Sequence, residues 1–107
     1  MPSTLPEPVA RLIAAANAGD TDAFLATFAA DGTVNDWGRV FTGHDSIREW
    51  SNSEFIGVGV TLEVTAEITT REHTTVTATV GGRGFTGQSH FSFTVADGLV
   101  SDMAITG

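Results

Sequence analysis

The spacing of apolar residues changes once along this chain, and the change predicts its architecture. In the first third, Leu5, Val9, Leu12, Ile13 and Ala16 recur at intervals of about three to four, around an alanine-rich stretch from Val9 to Ala18. That period describes a helix with one buried stripe. Gly19 suits a left-handed helix end, and Asp20 suits the cap of a second, shorter helix. Its apolar positions are Ala23, Phe24, Ala26, Thr27 and Phe28, and it is expected to end near Asp31-Gly32. A third helix follows Gly43, with Asp45 or Ser46 as its cap and Ile47 and Trp50 three apart on one face. Between them, 33–36 and 39–42 are long enough only for small strands or turn edges.

From Val58 onward the period is two. Val58, Val60, Leu62, Val64, Ala66 and Ile68 alternate with glycine, threonine and glutamate. Val76, Ala78 and Val80 alternate with threonines, and Phe91, Phe93 and Val95 with His90, Ser92 and Thr94. A closing strand from Leu99 to Thr106 sets Ser101, Met103 and Ile105 opposite Val100, Asp102 and Ala104. Turns are marked at 70–73, by the glycines at 81, 82, 84 and 87, and most strongly by Asp97-Gly98. Helices first and an antiparallel meander after is an α+β layout, with the helices on one face of a twisted sheet. Phe24, Phe28, Ile47, Leu62, Val64, Val76, Phe91 and Phe93 are its expected core. The opposite face carries Thr61, Glu63, Thr65, Thr75, Thr77, His90 and Ser92. It is too polar for a core, and broad enough to meet a second copy of itself in a homodimer.

Composition narrows the function classes. At 107 residues the chain is read as one domain spanning 1–107, with a core that is real but thin. Five arginines and no lysine stand against 13 acidic residues, a net charge of -8. Nucleic acid and anionic membrane surfaces are therefore excluded as partners, since both need a basic face. The absence of cysteine removes disulfides, thiol nucleophiles and zinc-thiolate sites together. The start, Met1 to Val9, has three prolines and no apolar run, so neither a leader nor a span is read there. The cytoplasm is the expected location.

Three stretches carry a resemblance. Ala18-Gly19-Asp20, then 28–36 (Phe-Ala-Ala-Asp-Gly-Thr-Val-Asn-Asp), then 41–50 (Phe-Thr-Gly-His-Asp-Ser-Ile-Arg-Glu-Trp) resemble the nuclear transport factor 2-like superfamily. The nearest groups are the SnoaL-like polyketide cyclases and the ketosteroid isomerases. The run from Phe91 through Asp97-Gly98 to the last strand looks like the end of the same families. The resemblance implies a cone, in which a strongly curved sheet wraps the helices and leaves a pocket at its open end. It also implies dimers formed through the other face of the sheet.

Asp36 is the candidate for chemistry. By resemblance it falls where ketosteroid isomerases carry the aspartate that moves a proton at a carbon beside a carbonyl. Among Trp37, Trp50 and Phe55 a carboxylate is partly desolvated, which raises its pKa and improves it as a base. An equally open reading makes Asp36 a turn-forming residue beside Gly38. The rest of an isomerase site does not carry over. There is no tyrosine, Leu12 stands near its helix position, and the inward residues of the late strand are Phe91 and Phe93. An epoxide-hydrolase site would need an acid–arginine–acid set, and Arg83 has no acidic neighbour, while Asp102 alternates away.

Trp37, Trp50, Phe55, Phe91 and Met103, with His44 at the mouth, are the expected contacts of a hydrophobic small molecule. His73 reads as a turn residue and His90 as an outer-face one, so no metal ligand set is seen and no cofactor is expected. Two functions follow. One is an isomerase- or cyclase-like enzyme acting on a polyketide- or terpene-like ligand, with Asp36 as acid/base. The other is a non-catalytic ligand-binding or dimerisation module. A second polar group opposite Asp36 would separate them, and the sequence offers only His44, Arg39 and Asn35 nearby.

Overall fold

The computed structural model describes residues 5–107; the first four, part of the stretch read above for a leader, lie outside them. Helices α1 (Glu7–Ala18), α2 (Thr21–Ala26) and α3 (His44–Glu54) accompany six strands. These are β1 (Phe28–Asp36), β2 (Arg39–Thr42), β3 (Thr61–Thr70), β4 (His73–Gly81), β5 (Gly87–Ala96) and β6 (Leu99–Thr106). They form one curved sheet in the order β2-β1-β6-β5-β4-β3, antiparallel except for the β1–β6 pair, in the α+β arrangement expected.

Helix α1 buries Val9, Leu12, Ile13 and Ala16 and stops at Gly19, whose φ of 71° needs no Cβ. Asp20 then caps α2 by accepting from the Ala23 N–H at 3.1 Å. Helix α2 ends sooner than its pattern predicts, because Phe28 already pairs with Val100 of β6. Phe24 and Phe28, which look like one helical face, are instead an edge-on ring contact across the helix–strand joint, centroids 5.3 Å apart. Strand β1 is correspondingly longer than expected, since β6 supplies partners from the far end of the chain. Helix α3 starts at Gly43 with no side-chain cap, so neither Asp45 nor Ser46 has the role foreseen.

Two β-bulges correct the alternation read from the sequence. Val64 pairs with Ala78 and Ala66 with Thr77, so Thr65 is an extra residue in β3. Past a bulge every side chain changes face. Leu62 is therefore buried while Ile68, expected inside, is 70% exposed. Ser101 plays the same part in β6, and puts both Val100 and Met103 in the core rather than on opposite faces. Val58, expected in a strand, belongs to the 3-10 turn Ile56–Val58. Of the expected core, Phe24, Phe28, Ile47, Leu62, Val76, Phe91 and Phe93 are buried, and Val64, beside the bulge, is half-buried.

On the outer face Thr61, Glu63, Thr65, Thr75 and Ser92 are exposed. Thr77 and His90 there are half-buried and joined by a hydrogen bond of 3.1 Å. His73 is exposed where β4 begins. Among the described residues no helix is long and apolar enough to cross a membrane.

Candidate functional site

The β1–β2 hairpin turns through Trp37 and Gly38, with φ of 54° and 94°. Such two-residue turns need positive φ at both positions, which is uncommon for a residue as bulky as tryptophan. The clasp of the turn is Asn35, whose Oδ1 accepts from the Gly38 N–H at 2.8 Å. The turn-forming role left open for Asp36 thus belongs to its neighbour. Asp36 follows Val34 onto the inner face, opposite Ile105 of β6, and lines a cavity of about 360 Å³ at the end of the sheet.

Two donors meet on one oxygen of Asp36. The indole N–H of Trp50 reaches Oδ2 at 3.0 Å, and Nη2 of Arg39 reaches the same atom at 2.6 Å. Arg39 also holds Glu54, at the end of α3, through two bonds of 2.6 and 2.9 Å. Among the described residues, Oδ1 of Asp36 has no hydrogen-bond partner. The hydrogen bonds with Glu54 hold the Arg39 guanidinium above its ordinary range, and Arg39 in turn holds the Glu54 carboxyl below its own. Of the polar neighbours that the sequence offers Asp36, Arg39 is thus the one that pairs with it.

The arrangement is an acid–arginine–acid set, built around Arg39 instead of Arg83. The hairpin brings Asp36 and Arg39 face to face as ladder partners, and only the tertiary approach of α3 adds Glu54. Arg83 lies elsewhere, donating to the Gly57 carbonyl at 3.0 Å. Asp102 accepts from Thr33 and takes no part.

Aromatic rings make most of the wall. Trp50 and Phe55 stack with centroids 4.8 Å apart, Phe91 lies beside Phe55, and all three are buried. Trp37 and Phe85 line the same cavity but are 60% and 54% exposed, so they flank its mouth. Of the expected site residues, the structure therefore brings Asp36, Trp37, Trp50, Phe55 and Phe91 together. Met103 and His44 are corrections. Met103 is fully buried in mid-sheet, paired with Val34 and Phe93, and Ile105 takes the cavity position. His44 stands at the start of α3, about 15 Å along the helix axis from the cavity end, with Nε2 3.1 Å from the Phe28 carbonyl.

Ser89 is the residue that the sequence reading missed. It is 2% exposed, lines the cavity and makes no side-chain hydrogen bond among the described residues. Since no buried polar side-chain atom among the described residues lacks a partner, its hydroxyl opens onto the cavity. Its signal was present, because extending the Phe93, Phe91 alternation back by two residues arrives at Ser89. Among the described residues no three histidine or acidic side chains gather as a metal site would require.

Comparison with known proteins supports the fold. No curated protein matches the chain. Among solved structures, a Sinorhizobium meliloti protein provisionally named a polyketide cyclase is 29% identical, with a TM-score of 0.85 and 95% of each chain covered. A Catenulispora acidiphila protein of ketosteroid isomerase-like fold, in complex with trimethylamine, is 23% identical at a TM-score of 0.83, covering 97% of this chain and 87% of that one. A Kribbella flavida protein provisionally named a ketosteroid isomerase is 19% identical at 0.80, covering 94% and 74%. The last two share the fold alone. The model of the SnoaL-like domain matches residues 9–103, and the chain belongs to that family.

Proposed function

We propose that the protein is an acid–base catalyst of the isomerase or cyclase type, acting on an apolar small molecule of polyketide- or terpene-like character. The observation that carries the reading is the pair of unbonded polar atoms in one aromatic cavity, Oδ1 of Asp36 and the hydroxyl of Ser89. Ser89 is the second polar group needed to favour an enzyme over a binding module. In this scheme Oδ1 takes a proton from the carbon beside a ligand carbonyl. The electron pair moves to the carbonyl oxygen, and the Ser89 O–H donates to it as its charge grows. The proton then returns at the same or a neighbouring carbon. The likeness to the S. meliloti protein supports the substrate class.

The test is proton exchange in deuterium oxide, with α-tetralone and 2-decalone as probes. The protein is expected to accelerate deuterium uptake beside the carbonyl, Asp36→Asn to abolish it, and Ser89→Ala to weaken it. Probe binding without accelerated exchange would favour the non-catalytic module. We further propose that the outer face pairs two chains, leaving both cavities open.

A further inference from the structure

We propose that the mouth of the cavity selects ligands carrying a cationic group, a protonated amine in the simplest case. This rests on the small-molecule reading above and adds to it the charge of the ligand. That the cavity takes a ligand is supported by Ser89, a residue only 2% exposed whose hydroxyl opens into apolar space and has no partner among the described residues. What sets the charge is found at the rim.

Asp36 and Glu54 bring two negative charges to the lining and Arg39 one positive, so the lining charges sum to -1 (-2 + 1). The chain as a whole carries -8, which concentrates cations and repels anions at such a cleft. The rings of Trp37 and Phe85 stand exposed on the rim, and aromatic faces attract ammonium groups. The rim already holds one organic cation in this manner. The Arg39 guanidinium lies between two carboxylates and 5.7 Å from the centre of the Phe41 ring. Arg39 is half exposed, on a four-residue edge strand, so it is a resident counter-ion that a ligand can supplement or displace. An anionic ligand, by contrast, would meet both carboxylates and find three N–H bonds of Arg39 already committed.

An ammonium group at Glu54 and the rim rings leaves Oδ1 of Asp36, deeper and only 14% exposed at the side chain, free for proton transfer. The ligand implied is apolar in its reacting body and cationic at the end left at the mouth.

Three probes with one apolar body and different heads make the test. 1-Aminoadamantane, 1-adamantanol and adamantane-1-carboxylate are titrated at neutral pH and low salt, followed by tryptophan fluorescence and calorimetry. The ammonium is expected to bind about tenfold tighter than the alcohol, and the carboxylate weakest. Glu54→Gln should narrow that gap and Arg39→Gln should widen it, while Arg39→Lys, which keeps the charge, should leave it as in the wild type. Added salt should narrow it. Circular dichroism checks that each variant folds, and the three wild-type affinities decide the matter even where one does not. An alcohol that binds as tightly as the ammonium, a carboxylate that binds tightest, or weaker ammonium binding in Arg39→Gln overturns the proposal and leaves the small-molecule reading standing. Failure of all three probes to bind overturns both.

Discussion

The indole N–H of Trp50 donates to Oδ2 of Asp36 at 3.0 Å and so ties the middle of α3 to the end of β1. The bond fixes one carboxylate oxygen and leaves the other to the cavity. It also joins fold to function, because Trp50 is 3% exposed and stacks on Phe55 while it orients the candidate base.

Trp50→Phe keeps a ring in that stack and removes the donor. A hydrogen bond to a charged group contributes ~1.5–3 kcal/mol, and Arg39 remains on the same oxygen, so a loss near the lower end is expected. Urea denaturation measures it. A change below about 0.5 kcal/mol, the scatter of neutral surface substitutions, would mean that the bond does nothing for the fold.

Phe91 belongs both to the core and to the cavity wall. It is 3% exposed and packs beside Phe55. Phe91→Ala should cost ~3–5 kcal/mol, a large share of the ~5–15 that holds a domain together. Stability equal to the wild type, again by urea, would show a wall that tolerates loss.

What could be read from the chain, and what could not, divides by range. Helix stripes, the Gly19-Asp20 joint and the Asp97-Gly98 turn depend on neighbours in sequence and were legible. The parallel pairing of Phe28 with Val100 depends on residues 72 positions apart, and left no local mark. The bulges at Thr65 and Ser101 are facts of register, invisible in a period of two that continues through them. Of the cavity lining, Asp36, Trp37, Trp50, Phe55 and Phe91 were legible from spacing and resemblance. Ser89 could have been reached by alternation, whereas Glu54 joins only through the packing of α3.

The bulge at Thr65 makes its own prediction. Ile68 lies beyond it on the outer face, opposite Thr75, so in separated single chains, where it is 70% exposed, Ile68→Thr should change stability by less than about 0.5 kcal/mol. Leu62→Ala, before the bulge and buried, should cost ~2–5 kcal/mol. A comparable loss at both positions in urea melts, at dilutions that separate the chains, would show that Ile68 faces the core after all.

The proposed pairing through the outer face predicts a mass of two chains in sedimentation equilibrium at micromolar concentration. Thr75, exposed on that face between Ile68 and Ser92, is the position to perturb. Thr75→Arg should shift the mass toward one chain and leave the circular dichroism unchanged. One-chain mass in the wild type would remove the proposal.

The Arg39–Glu54 pair sets a pH dependence whose sign can be worked out. Its hydrogen bonds hold the Glu54 carboxyl below the ordinary value of about 4.3. A group depressed in the folded state stabilises the fold above its unfolded value, and that contribution fades as pH falls through the folded one. Arg39, shifted upward, contributes throughout this range and changes nothing within it. Both side chains are about half exposed, so the increment is small and salt-sensitive. Urea midpoints of the wild type and Glu54→Gln should therefore differ most at neutral pH. They should converge as the pH falls below about 4, because the protonated Glu54 then resembles the glutamine. Added salt should reduce the difference at neutral pH and leave the acid end unchanged. An offset that persists unchanged into acid would mean that the ion pair is not its source, and an offset that grows in acid would reverse the sign argued for Glu54.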